Sequence, residues 1–128
     1  MKGKILIIED EERIVAVLEK RLATHGYEVI TAGNGRLGFN RARQEKPDLI
    51  ILDLILPEMD GYQICNFLKR DRRYQDIPII ILSARSQEKD IEEAKKAGAD
   101  AYFTKPFNYE ELLGKIEELL LARGEGKK

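Results

Sequence analysis

Three short runs, Ile5-Leu6-Ile7-Ile8, Leu49-Ile50-Ile51-Leu52 and Ile79-Ile80-Ile81-Leu82, are apolar at every position. A strand with one face in water alternates apolar and polar residues, so a run without alternation needs cover on both faces. β-branched residues dominate these runs, and each is too short for a globular helix. Two further runs are weaker. Tyr27 to Ala32 mixes Tyr27, Val29 and Ile30 with Glu28 and Thr31, which suits an edge strand, and Ala101 to Phe103 is brief.

Helical spacing fills the intervals. Ile14, Val15, Leu18 and Leu22 share one arc, Ile64, Cys65 and Leu68 another, and Leu112, Leu113, Ile116, Leu119 and Leu120 a third. Arg36 to Glu45 is weaker, with Gly38, Phe39 and Ala42 as its inward candidates. Gln87 to Ala97 offers only Ile91, Ala94 and Ala97 among many charges, so that helix is expected to pack lightly. Strand and helix thus alternate five times, with Gly26, Pro47-Asp48, Pro57, Pro78 and Gly98 at the turns. This order calls for an α/β fold, a parallel sheet with helices on both faces.

Composition narrows the functional classes. The 128 residues suit one domain, taken as 1–123, with 124–128 (Gly-Glu-Gly-Lys-Lys) as a flexible tail or linker remnant. No apolar run approaches the length of a membrane span, and the start is too short in apolar residues for a signal peptide. One cysteine, Cys65, excludes an internal disulfide and a zinc cluster, and its apolar neighbours mark it as a core thiol. A net charge of −1 gives no overall attraction to nucleic acid or membrane. A cytoplasmic protein is expected. His25, the sole histidine, precedes Gly26 and is placed to cap the first helix rather than to donate a phosphoryl group. The run Lys69-Arg70-Asp71-Arg72-Arg73 reads as a solvated helix end or a docking patch for an acidic partner.

In a parallel sheet, ligands collect beyond the carboxyl ends of the strands, where the strand order reverses. Those ends carry Glu9-Asp10, Asp53, Ser83-Ala84 and Thr104-Lys105-Pro106. Three carboxylates, a hydroxyl and an ammonium therefore share one surface. Crowded carboxylates repel, and Lys105 balances part of the charge. A hard divalent cation such as Mg²⁺, which takes oxygen ligands and keeps waters, suits the rest. Such an ion offsets charge in phosphoryl transfer, and an aspartate is an accepted nucleophile for it.

Taken in order, Glu9-Asp10, Asp53-Leu-Ile-Leu-Pro-Glu-Met-Asp-Gly61, Ser83-Ala84 and Lys105-Pro106 resemble the receiver domain of two-component response regulators. The likeness runs from about Lys4 to Leu121. It implies a flavodoxin-like (βα)5 three-layer sandwich with strand order 2-1-3-4-5. It implies that Asp53 accepts a phosphoryl group from a sensor histidine kinase or phosphotransfer protein, so that the domain is a self-modifying switch and not a turnover enzyme. Asp10 and Asp53 would ligate Mg²⁺ (or Mn²⁺) directly, Glu9 through water, and Ile55 through its backbone carbonyl. Lys105 would contact the phosphoryl group, with Lys105-Pro106 cis. Ser83 would donate its hydroxyl to the new phosphoryl oxygen, Ala84 would keep the site open, and Tyr102 would turn inward as the switch aromatic. The helix 4–strand 5–helix 5 face would then control a partner or a fused effector.

Two neighbours bear on the lifetime of the signal. Ile55 and Arg85 are expected to border the phosphoryl group, and an apolar Ile55 cannot orient water, which points to slow loss. Other chemistries fit less well. A flavin site wants a Ser/Thr/Gly-rich phosphate loop after the first strand, where this chain has Glu9-Asp10-Glu11-Glu12. An aspartyl phosphatase would place an Asp-x-Asp there. For output, the chain reads as a stand-alone receiver or as part of a larger regulator, including a DNA-binding transcriptional one. No direct nucleic-acid contact is expected of this domain. Ile91 and Ala101 interrupt the charged pattern that such regulators use to dimerise, which argues against that dimer and for partner docking on the same face. A monomer or a phosphorylation-dependent dimer is expected.

Overall fold

The unalternating runs are strands, and both of their faces are covered. In the computed structural model, which describes residues 2–126, the chain alternates strand and helix throughout. The elements are β1 (Gly3–Ile8), α1 (Glu12–Thr24), β2 (Tyr27–Ala32), α2 (Gly35–Glu45), β3 (Leu49–Leu52), α3 (Gly61–Lys69), β4 (Ile79–Ser83), α4 (Glu88–Lys96), β5 (Ala101–Thr104) and α5 (Tyr109–Gly126). The sheet order is β2-β1-β3-β4-β5, and every pairing is parallel. β4 and β5 each run one polar residue past their apolar stretch, because Ser83 and Thr104 still pair across the ladder.

Successive strand residues point to opposite faces, and two cores result. Leu6, Ile8, Ile50 and Leu52 pack on α2, α3 and α4, with Ala42, Ile64 and Leu68 among the helix contributions. Ile5, Ile7, Leu49 and Ile51 pack on α1 and α5 through Leu18, Leu22, Leu112 and Ile116. The fold is therefore a three-layer, flavodoxin-like α/β sandwich. Gly38 lets α2 lie against the sheet, since a Cβ there would fall 2.5 Å from Ile8 Cγ2.

Helix starts follow local chemistry. Asn34 caps α2 by accepting from Leu37 N, Asn108 does the same for α5 from Glu111 N, and Asp60 and Gln63 close a reciprocal capping box on α3. His25 sits at the C-cap of α1, its Nδ1 within 2.9 Å of Arg21 O and 3.2 Å of Tyr109 Oη. Cys65 is a core thiol whose Sγ donates to Ala97 O, and burial pushes its pKa up to about 12.

Three details depart from the sequence expectations. α4 buries Asp90 and Ala94, while Ile91, expected inward, is exposed. The Asp90 carbonyl accepts from Tyr62 Oη and its carboxylate faces Arg85 at 3.9 Å, so polar contacts set the helix rotation. Second, α5 continues to Gly126, past the expected start of the tail at Gly124; residues 127 and 128 lie outside the described residues. Third, Arg85 leans toward Asp90 and is not among the residues that line the cleft described below. Among the described residues, no helix is long and apolar enough to cross a membrane.

Candidate functional site

β1 is flanked by β2 on one side and β3 on the other, so the strand order reverses between β1 and β3. The crevice of a doubly wound sheet opens there. Ile8 pairs with Leu52, which sets Glu9 and Asp10 beside Asp53, and Asp53 N donates to Ile8 O at 3.0 Å. On the other side, Lys105 N donates to Ser83 O at 2.8 Å, tying the end of β5 to β4. The Lys105-Pro106 bond is cis. Asp10, Glu11, Asp53, Ile55, Ala84 and Lys105 line a cleft of about 200 Å³.

Each expected carboxylate is in the crevice. Glu9 and Asp53 are buried, Asp10 is exposed, and ligand oxygens of all three lie within 4.8 Å of one another. Asp10 does not serve as a helix cap, because Glu11 occupies that position on α1. The Asp53 carboxylate accepts from Ile55 N at 3.2 Å. Lys105 reaches down among the acids. Its Nζ lies 2.7 Å from Glu9 Oε1, 3.2 Å from Asp53 Oδ2 and 2.9 Å from Glu11 Oε1. Burial alone would lower the pKa of this ammonium, but the hydrogen bonds to Glu9 and Glu11 and the charge of Asp53 outweigh it and raise the pKa. Burial dominates at Glu9 and pushes its carboxyl up to about 7, against hydrogen bonds from Lys105 and Glu11 N that lower it.

Glu11 is the residue that sequence reasoning missed. Its position in the run Glu9-Asp10-Glu11-Glu12 made it one of several surface acids, yet it lines the cleft and, with Glu9, pairs with Lys105. With four acids around one ammonium, the crevice retains excess negative charge.

The donor set fits a hard divalent cation. The available ligands are carboxylate oxygens, as Mg²⁺ and Mn²⁺ prefer. Glu9 Oε1 is buried, and among the described residues its partner is the Lys105 ammonium at 2.7 Å. The 4.8 Å spread of ligand atoms compares with the roughly 4 Å across an octahedral ion whose bonds are about 2.1 Å.

Ser83 and Tyr102, the two expected switch residues, meet at one point. Ser83 is fully buried and its Oγ accepts from Arg85 N at 3.2 Å. Tyr102 is half-buried and its hydroxyl donates to Arg85 O at 2.6 Å. The backbone of Arg85, in the β4–α4 loop, thus joins the end of β4 to the aromatic ring on β5.

Fold and site together define a flavodoxin-like α/β protein whose switch-point crevice holds an acidic cluster and one largely buried lysine. Residues 5–117 match the response regulator receiver domain, and the chain belongs to that family. It is 41% identical over 120 residues to the alkaline phosphatase synthesis transcriptional regulatory protein PhoP of Bacillus subtilis (strain 168), covering 94% of this chain and 49% of that protein. It is 44% identical over 117 residues to the DNA-binding dual master transcriptional regulator RpaA of Synechocystis sp. (strain ATCC 27184 / PCC 6803 / Kazusa), covering 91% of this chain and 48% of that one. The chain thus spans about half the length of these curated relatives. A CheY-like response regulator receiver domain protein from Methanospirillum hungatei JF-1 superposes with a TM-score of 0.89 at 29% identity, covering 96% of this chain and 97% of the other. The signal receiver domain of a signal transduction histidine kinase from Syntrophus aciditrophicus gives 0.87 at 36% identity, with coverages of 94% and 91%.

Proposed function

We propose that this receiver domain is a cytoplasmic phosphoryl-accepting switch in which Asp53 is the acceptor and a sensor histidine kinase or phosphotransfer protein is the donor. One observation carries the reading: the Asp53 carboxylate is buried at the switch point, beside two further acids and within 3.2 Å of the Lys105 ammonium. Asp10 and Asp53, with Glu9 through water and the Ile55 carbonyl, would hold Mg²⁺, which offsets charge on the phosphoryl oxygens when bound. Asp53 supplies the attacking oxygen. Lys105 can exchange its contacts with Glu9 and Glu11 for the incoming anion, while Ala84 leaves the cleft open. Ser83 has a hydroxyl proton to give to a phosphoryl oxygen. Doing so draws on the loop whose Arg85 backbone also binds Tyr102, and α4 buries only Asp90 and Ala94, so it costs little to shift.

The direct test is phosphoryl uptake. Incubated with Mg²⁺ and the small phosphodonor acetyl phosphate, the chain is expected to gain the mass of one phosphoryl group, and EDTA should suppress the gain. Uptake unaffected by EDTA would overturn the metal-dependent reading. Spontaneous loss should be slow, with a half-life on the order of hours. Ile55 borders the cleft with an apolar side chain that cannot hold an attacking water by hydrogen bonding. A half-life below a minute for the purified phospho-form would reject this. Arg85 contributes less to that argument than the sequence suggests, since its guanidinium is turned to Asp90.

For output, we infer the receiver portion of a DNA-binding transcriptional regulator, supported by the names of the curated relatives and by their roughly doubled length. A stand-alone receiver that docks on a protein partner is the second reading. Asp100 supports it, because this acid is engaged within the domain by Lys69 at 2.9 Å and by Ile79 N at 2.8 Å, rather than free to pair across a dimer.

A further inference from the structure

Charge is spread unevenly over the helices. On α2, Arg36, Arg41 and Arg43 oppose one acid, Glu45, in a chain of net charge −1. After Lys69, whose ammonium is committed to Asp100, Arg70, Arg72 and Arg73 outnumber Asp71. A pair of aromatic rings sits within this basic face. Phe67 on α3 is 57% exposed and packs in neither core. It meets the half-buried Phe39 of α2 with ring centroids 5.8 Å apart at 48°.

An arginine of α2 lies against the rings. The Arg43 guanidinium lies 4.5 Å from the centroid of Phe39. Asp71 and Arg73 follow in the turn just past the end of α3. Asp71 pairs with Arg73 at 2.8 Å. The hydrogen bonds of Arg73 hold its carboxyl at about 2. The Phe39–Phe67 contact joins α2 and α3 into one patch.

An exposed aromatic with arginines at its margin has the composition of an interaction hot spot. The Asp53 crevice uses none of these residues. We propose that the α2–α3 face is a docking surface for an acidic segment of a partner protein that brings its own apolar anchor onto Phe67. Arg43 and Arg73 would pair with its carboxylates, for which the planar guanidinium fork is well shaped. Duplex nucleic acid fits less well, because it presents phosphates but no apolar anchor for the exposed Phe67.

The surface can be probed on the isotope-labelled chain by amide chemical shifts, using a synthetic amphipathic peptide with Glu on one helical face and Leu and Phe on the other. Saturable shifts confined to α2, α3 and the turn after it are expected. Phe67→Ala, at an exposed position that leaves folding intact by thermal melt, should weaken binding at least about tenfold. Arg43→Ala should weaken it and reduce its salt dependence. Asp53→Asn should bind as the parent does, which keeps this result separate from phosphoryl uptake. The proposal fails if no saturable shift appears, if a scrambled peptide of the same composition binds equally, if Phe67→Ala changes nothing, or if duplex DNA occupies the face more tightly than the peptide.

Discussion

Replacing Asp53 by Asn is expected to reduce phosphoryl uptake from acetyl phosphate below detection, while the domain stays folded. The substitution keeps the shape of the side chain and removes its charge. The amide oxygen can still accept from Ile55 N, the bond that orients Oδ1 at 3.2 Å. The proposed nucleophile, however, is gone, since an amide has no carboxylate oxygen to form the acyl phosphate. Stability should change little, because two effects oppose. Lys105 loses one partner at 3.2 Å but keeps Glu9 and Glu11, and the buried Glu9 loses the repulsion of a neighbouring anion. Intact mass after incubation, set beside a thermal melt, reads both quantities. Asp76→Asn, an exposed acid before β4 at the opposite end of the strands, is the control and should take up phosphoryl normally. Undiminished uptake by the Asp53 variant would place the acceptor elsewhere and remove the basis of the proposed function.

Much of this arrangement is legible in the linear sequence, for identifiable reasons. Strands buried on both faces lose their alternation, so Ile5–Ile8, Leu49–Leu52 and Ile79–Leu82 announce a covered parallel sheet before any contact is known. Because ligand sites of such sheets lie past the strand ends, Asp53 and Lys105 can be placed together although 52 residues separate them. The order of the strands is different. Periodicity does not specify it, and it followed from resemblance to the receiver family, with which the observed β2-β1-β3-β4-β5 order agrees. Where specific polar contacts compete with hydrophobicity, the pattern misleads: Asp90 turns in and Ile91 out because Tyr62 and Arg85 hold the first turn of α4. Glu11 stayed hidden because one acid in a run of four looks like its neighbours until the direction of Lys105 is known.

Close backbone approach is the least legible feature, and Gly61 provides the sharpest test of it. A Cβ on Gly61 would sit 2.3 Å from the carbonyl oxygen of Asp53 and 2.8 Å from Leu54 Cα. Both are main-chain atoms. Neither can swing aside as a side chain would, because Asp53 N is bonded to Ile8 O in the sheet and Gly61 N to Leu54 O at 3.0 Å. Gly61→Ala is therefore expected to lose about 2–4 kcal/mol of folding stability, read as a lower denaturant midpoint with unchanged slope. The part of the strain that does not unfold the domain must move the Asp53 backbone. A displacement approaching 1 Å would slow phosphoryl uptake by roughly a hundredfold, since attack requires the carboxylate in line. Gly114 supplies the opposite case within the same protein. It lies inside α5, a Cβ there meets nothing within 4 Å, and Gly114→Ala should stabilise by about 0.5–1 kcal/mol through helix propensity alone, with uptake unchanged. If Gly61→Ala melts like the parent, the α3 start does not press on β3 as described. The glycine of the Asp-Gly pair at the head of α3 would then need an explanation other than room for the backbone that carries Asp53.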